Sequence, residues 1–269
     1  MKPTEHVQAG AVPCSTGGQT HLGEGIRWDA RRDEMLAVDI LTGGVYRARV
    51  RDDGALERVR AYQLPGTVGM IAPVEGDEGW LLGAGRSFVY LAADGTHRTI
   101  AEVAPVGTRM NDGACDPQGR FWGGTLADDH HEGGGALYRL ERDGRTELML
   151  DGLTISNGLG WSPDGGTMYL VDSGPRVIHA FAFDAGHGTI SAGRILLTVP
   201  GGAGAPDGMT VDTVGDLWVV IYGGGRVNRG RGKSRSAVAL CDRSQGAACG
   251  HRNAATAVGS TTRSTAVCR

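Results

Sequence analysis

Apolar and polar positions alternate with a period of two through most of the chain. In VIHAFAFDAGHGTI (177–190), Ile178, Ala180 and Ala182 fall on one side and His179, Phe181 and Phe183 on the other. The segments GGVYRARVRDDGAL (43–56), SFVYLAADGTHRTI (87–100) and GALYRLERDGRTELM (135–149) each read as strand, Asp-Gly turn, strand. A larger unit of apolar strand, Asp- or Pro-Gly turn and second strand also recurs. It begins at residues 25, 72, 113, 158 and 208, and its turns fall 43 to 50 residues apart. That spacing predicts an all-β propeller, each blade a small four-stranded sheet. Five blades are visible, and no stretch before residue 228 carries a sustained helical stripe.

Glycine sharpens this picture. The chain has 46 glycines in 269 residues and no collagen-like period, which fits many tight turns between short strands. Net charge is −3, but residues 226–269 carry nine of the 27 basic residues and one acid, Asp242. The rest of the chain is therefore strongly acidic. Nucleic acid is disfavoured as a partner, since such a body repels phosphate. Residues 1–227 are predicted to form the propeller. Residues 228–269 are predicted to form a basic low-complexity tail, a replaced terminus with too little apolar area to offset chain entropy. The N-terminal stretch lacks an apolar leader core and no window is apolar enough to span a membrane. The five cysteines have no CxxC spacing and are expected as free thiols, which with the missing leader predicts a cytoplasmic protein.

Candidate chemistry lies at the start of the innermost strands. Glu24 lies between two glycines, RMNDG brings Asn111 and Asp112, SNG brings Asn157 and APDG brings Asp207. Any one of these is an ordinary turn former. Their common register is the argument, because equivalent positions on the inner strands of a propeller converge on one end of its channel. Glu24, Asn157 and Asp207 would offer two carboxylates and an amide oxygen, hard donors suited to Ca²⁺, Mg²⁺ or Mn²⁺. Arg109 adds a cation near the same rim. The Asp-Gly pairs at 53–54, 94–95 and 143–144 fall in another register and are read as hairpin turns.

The pieces LGEGIRW, RMNDGACDPQGRFWGGTL, ISNGLGWSPDGGTMYLVDS and APDGMTVDTVGDLWVVIYGGGRV resemble the SMP-30/gluconolactonase/regucalcin family. The resemblance implies a six-bladed β-propeller whose last blade is incomplete or replaced here. It implies hydrolysis of lactones, with sugar-acid lactones as the expected substrates and one divalent cation, Ca²⁺, Zn²⁺, Mn²⁺ or Mg²⁺. Glu24, Asn157 and Asp207 hold the places of the metal ligands, Asp207 also that of the general base. Arg109 and Asn111 hold those of substrate contacts, and Asp129 that of an acidic substrate contact. A metal-binding propeller without turnover, or a member disabled by its altered terminus, fits the same residues.

Overall fold

The computed structural model describes residues 20–202, 204–232, 239–240 and 268. Among the described residues, twenty strands form five four-stranded antiparallel sheets, each built in chain order. The first blade comprises β1 (Gly23–Asp29), β2 (Glu34–Asp39), β3 (Gly44–Val50) and β4 (Leu56–Gln63). The second comprises β5 (Val68–Pro73), β6 (Trp80–Ala84), β7 (Ser87–Leu91) and β8 (His97–Glu102). The third comprises β9 (Thr108–Cys115), β10 (Phe121–Ala127), β11 (Gly135–Leu140) and β12 (Thr146–Leu153). The fourth holds β13 (Ser156–Trp161), β14 (Thr167–Asp172), β15 (Val177–Asp184) and β16 (Thr189–Thr198). The fifth holds β17 (Ala205–Val211), β18 (Asp216–Tyr222), β19 (Arg226–Arg231) and β20 (Ala239–Leu240).

Successive side chains of a strand point to opposite faces, and here both faces are buried. Along β14, Met168 and Leu170 pack towards Trp122 and Leu137 of the third blade. Tyr169 and Val171 pack towards Met209 and Val219 of the fifth. The second blade divides likewise: Val68, Ile71 and Trp80 meet the first blade, while Met70 and Phe88 meet Met110 and Phe121 of the third. Each core therefore lies between blades rather than inside one. The inner strands pack in the sequence β1, β5, β9, β13, β17, and their close approach depends on glycine. A Cβ on Gly158 would lie 2.4 Å from the Met209 amide nitrogen, and one on Gly69 would lie 2.2 Å from the Asn111 carbonyl oxygen.

The repeated turns are stapled by carboxylates. Asp116 accepts from the amides of Gln118 and Arg120 and from Trp122 Nε1 at 3.0 Å. Asp212 does the same for Val214, Asp216 and Trp218. The Asp-Gly pairs at 53–54, 94–95 and 143–144 are hairpin turns, each aspartate accepting from the amide two residues on. No helix among the described residues is long and apolar enough to cross a membrane.

Three sequence expectations need correction. The blade count among the described residues is five, not six. The third strand of the fifth blade, β19, runs through Arg231, past the expected propeller boundary at 227, and β20 pairs beyond it. Composition hid this strand because arginine packs there in place of an apolar residue. Arg229 lies over the Trp218 ring at 5.1 Å and pairs with Asp216 at 2.9 Å. The expectation of free thiols fails for two cysteines: Cys115 and Cys268 form a disulfide with a Cα–Cα distance of 5.4 Å. Cys268 is fully buried beside Phe88 and Phe121, with its amide on the Pro73 carbonyl at 2.9 Å. Cys14, Cys241 and Cys249 lie outside the described residues.

Candidate functional site

The motifs lie within the first half of the inner strands: Asn157 is the second residue of β13, Asp207 the third of β17 and Asn111 the fourth of β9. In every blade the pairing between the innermost strand and its neighbour slips at that point. The slips span Glu24/Arg27 in β1, Val68/Met70 in β5, Ser156/Leu159 in β13 and Pro206/Met209 in β17. On β9 the slip faces Gly123/Thr125 of β10 and brackets Asn111 and Asp112. A bulge of this kind re-aims a side chain out of the strand's alternation. Glu24, Asn111, Asp112, Asn157 and Asp207 are thereby turned towards one cavity of about 240 Å³ at the end of the channel.

Two aspartates fix the approach to these bulges. Asp39, at the end of β2, accepts from the amides of His21 and Leu22 at 2.9 and 3.0 Å. Asp172, at the end of β14, accepts from the amides of Thr154 and Ile155 at 3.0 and 2.9 Å. The backbone leading into Glu24 and into Asn157 is therefore held by the same device. Both aspartates close the repeated unit read from the sequence, in AVD and LVD.

The amides are oriented by their neighbours. Asn157 donates from Nδ2 to Ser173 Oγ at 2.9 Å, and Ser173 donates its one hydroxyl proton to the Pro206 carbonyl at 2.6 Å. With that proton committed, Ser173 accepts from Asn157, which fixes the amide with its NH₂ towards Ser173. Asn157 Oδ1 is then the atom left to act as a donor towards a cation. Asn111 donates to the Ser156 carbonyl at 3.0 Å, and its Oδ1 accepts from Arg109 at 2.9 Å.

Electrostatics reinforce the picture. Burial, then repulsion from Asp207 and Asp112, lifts Glu24 to about 9, against opposing pulls from Arg27 and Arg109. Burial and repulsion from Asp112 raise Asp207 to about 7, despite hydrogen bonds from Asn157 and the Gly208 amide. Burial also raises Asp112, which Arg27 and the Gly113 amide partly offset. A small cavity with carboxylates held this far above their ordinary range attracts a cation. Among the described residues no three His, Cys, Asp or Glu side chains converge tightly enough to hold an ion by themselves. Glu24 and Asp207 with the Asn157 amide oxygen make a mixed, all-oxygen set that fits a hard divalent cation with further ligands from water or substrate.

Arg109 lines the same cavity, so five of the six residues given a role from the sequence lie around it. Asp129 does not. Its carboxylate is 75% exposed and bonds the His131 ring at 2.6 Å, while the adjacent His130 lines the cavity. Sequence reasoning left Asp112 without a role, although its place beside Asn111 in RMNDG was a signal. Arg27 spans the channel from β1 to the Gly113 carbonyl on β9 at 2.6 Å. Ser173 and Tyr222 also reach the cavity, from the ends of second strands or just beyond. No local pattern marks those positions. The remaining wall is apolar, including Leu22, Ile40, Leu126, Ile155 and Pro206.

The profile of the SMP-30/Gluconolactonase/LRE-like region matches residues 22–243. Regucalcin of Danio rerio is 33% identical over 224 residues, covering 81% of this chain and 74% of that protein. A 6-deoxy-6-sulfogluconolactonase of Pseudomonas putida is 34% identical over 222 residues, with the same coverage of 81% and 74%. A solved luciferin-regenerating enzyme superposes with a TM-score of 0.75 at 29% identity, covering 82% of this chain and 76% of its own.

Proposed function

Because the chain belongs to the SMP-30/gluconolactonase/LRE-like family, we propose that it is a divalent-cation-dependent hydrolase of lactones, with sugar-acid lactones as its substrates. The observation that carries this reading is the meeting of Glu24, Asn157 and Asp207 in one small cavity with Arg109 and Asn111. Relatives named for lactone hydrolysis, a sulfogluconolactonase and a pentonolactonase among them, support the choice of substrate class.

Glu24, Asn157 and Asp207 would hold the cation, which when bound supplies a Lewis acid for the lactone carbonyl. The chain's own residues do the rest. Asp207 accepts a proton from the attacking water through a carboxylate oxygen. Its raised proton affinity in the cation-free protein reflects burial and crowding by Asp112. Arg109, steadied by its bonds to Asn111 Oδ1 and the Met110 carbonyl, presents donors to the oxygens of the ring. The apolar wall from Leu22, Ile40, Leu126 and Ile155 limits water around the carboxylates, which strengthens every charged contact inside.

The test is hydrolysis of a panel of sugar-acid lactones, followed as acid release, in chelator and with each divalent cation restored. Turnover that vanishes with chelator and returns with one cation is the expected result. Cation binding by calorimetry without turnover on any lactone would make the protein a binding propeller instead.

A further inference from the structure

The loop after β10 offers two neighbouring polar side chains, and the structure sends them in opposite directions. Asp129 turns to solvent, its Oδ1 accepting from the His131 amide at 3.2 Å as well as lying 2.6 Å from that ring's Nδ1. His130 faces the cavity. Its backbone is left-handed, with φ at 58°, a conformation uncommon outside glycine and one that histidine adopts more readily than most residues. The His130 amide donates to the Ala127 carbonyl at 2.9 Å. Ala127 pairs with Thr108 on β9, one residue before Arg109, which pairs with Leu126.

Both ends of the loop are anchored. The Asp128 amide donates to the Gly107 carbonyl at 2.8 Å. At the far end the Gly133 amide donates to Thr154 Oγ1 at 3.3 Å, and the Thr154 amide is itself held by Asp172. The turn that aims His130 is thus tied to the device that aims Asn157. His130 is exposed yet lines the cavity that Arg109 also lines, so its imidazole stands at the solvent side, where a molecule seated on the buried carboxylates would present its outer part. A neutral imidazole carries one donor and one acceptor, the complement of a hydroxyl.

We propose that His130, rather than Asp129, is the loop's substrate-selecting side chain, recognising hydroxyl groups on the lactone's exocyclic chain. This rests on the lactone-hydrolase reading given above. His130 is a specificity residue: it binds a remote part of the substrate, so its contribution falls on KM and selectivity more than on kcat.

The experiment compares glucono-δ-lactone with unsubstituted δ-valerolactone in wild type, His130→Ala, His130→Asn and Asp129→Ala. Asparagine tolerates the left-handed backbone and keeps a donor and an acceptor, so it guards against a folding defect. The expected result is that His130→Ala lowers the preference for the hydroxylated lactone about tenfold, the loss of roughly one hydrogen bond, through KM. His130→Asn restores much of it. A drop in preference from Asp129→Ala with none from His130→Ala overturns the proposal, as does an equal loss on both lactones. Titration of gluconate into the same proteins by calorimetry reads His130 without turnover. If wild type hydrolyses neither lactone yet binds gluconate, and His130→Ala loses that binding, the hydrolase reading fails and the role of His130 stands. If His130→Ala binds gluconate as wild type does, the role of His130 fails.

Discussion

Ser173 holds Asn157: the asparagine amide donates to the serine hydroxyl at 2.9 Å, and that hydroxyl is locked by its own bond to the Pro206 carbonyl. The pair links the fourth blade to the residue preceding Asp207 in the fifth. Ser173→Ala removes the acceptor that fixes which end of the amide faces the cavity. Loss of a partner that orients a metal ligand typically costs about 10–100-fold in affinity. Calorimetric titration of the divalent cation into Ser173→Ala is expected to show a drop in that range with the fold intact. Unchanged affinity would remove Asn157 from the ligand set.

Asp207→Asn keeps the shape of the side chain and removes its basicity. At saturating cation, lactone turnover is expected to fall by about 10²–10⁴, the usual worth of a positioned base. Asn157 and the Gly208 amide both donate to the present carboxylate. The variant's amide must turn its oxygen towards them, so its fold should be checked by thermal melting. A variant that keeps wild-type kcat sinks the assignment of Asp207 as base.

Without a cation, stability should fall as pH rises. Glu24 lies at about 9 and Asp207 at about 7 in the folded protein, whereas ordinary carboxylates ionise near 4. From about pH 5 to pH 9 the folded state therefore binds more protons than the unfolded chain, and the unfolding free energy declines with pH. Melting in chelator at pH 5.5, 7 and 9 measures the slope. Glu24→Gln is expected to flatten its upper part, between pH 7 and 9, and equal slopes in the two proteins would contradict the assignment.

The bond between Cys115 and Cys268 closes a separation of 153 residues. Proteolysis without reductant is expected to yield a cross-linked peptide pair carrying both cysteines, separated on reduction. Cys268→Ser is expected to lower unfolding stability by about 2–4 kcal/mol in denaturant titrations. Two free thiols at these positions in the untreated protein would disprove the bond.

The five-fold repetition was legible in the chain because each blade repeats the same scheme of alternating strand, glycine-containing or Asp-containing turn and second strand, with Asp116 and Asp212 stapling two of those turns. The shared register of Glu24, Asn157 and Asp207 was legible for the same reason. Their place inside a bulge was not, since Asx-Gly serves a turn and a bulge equally well and only pairing across the sheet tells them apart. The disagreement over Asp129 and His130 lies in a two-residue choice that loop hydrogen bonds decide, and a repeat scan has no access to it. The tail misled through composition. Arg229 stacks on Trp218 and the Asn228 side chain is buried, so a run with a single aliphatic residue, Val227, still supplies a strand. Cys268 is distant in sequence from the core it enters, and spacing carries no trace of that meeting.

Glu24 stands on the first blade and Asp207 on the fifth, the two ends of the arc of described blades. Every other neighbouring pair of blades is joined by a shared apolar core. A cation held by both carboxylates would act as a keystone, drawing the two ends together. Occupancy and cohesion would then be a single equilibrium, and the melting temperature would climb with cation concentration by mass action.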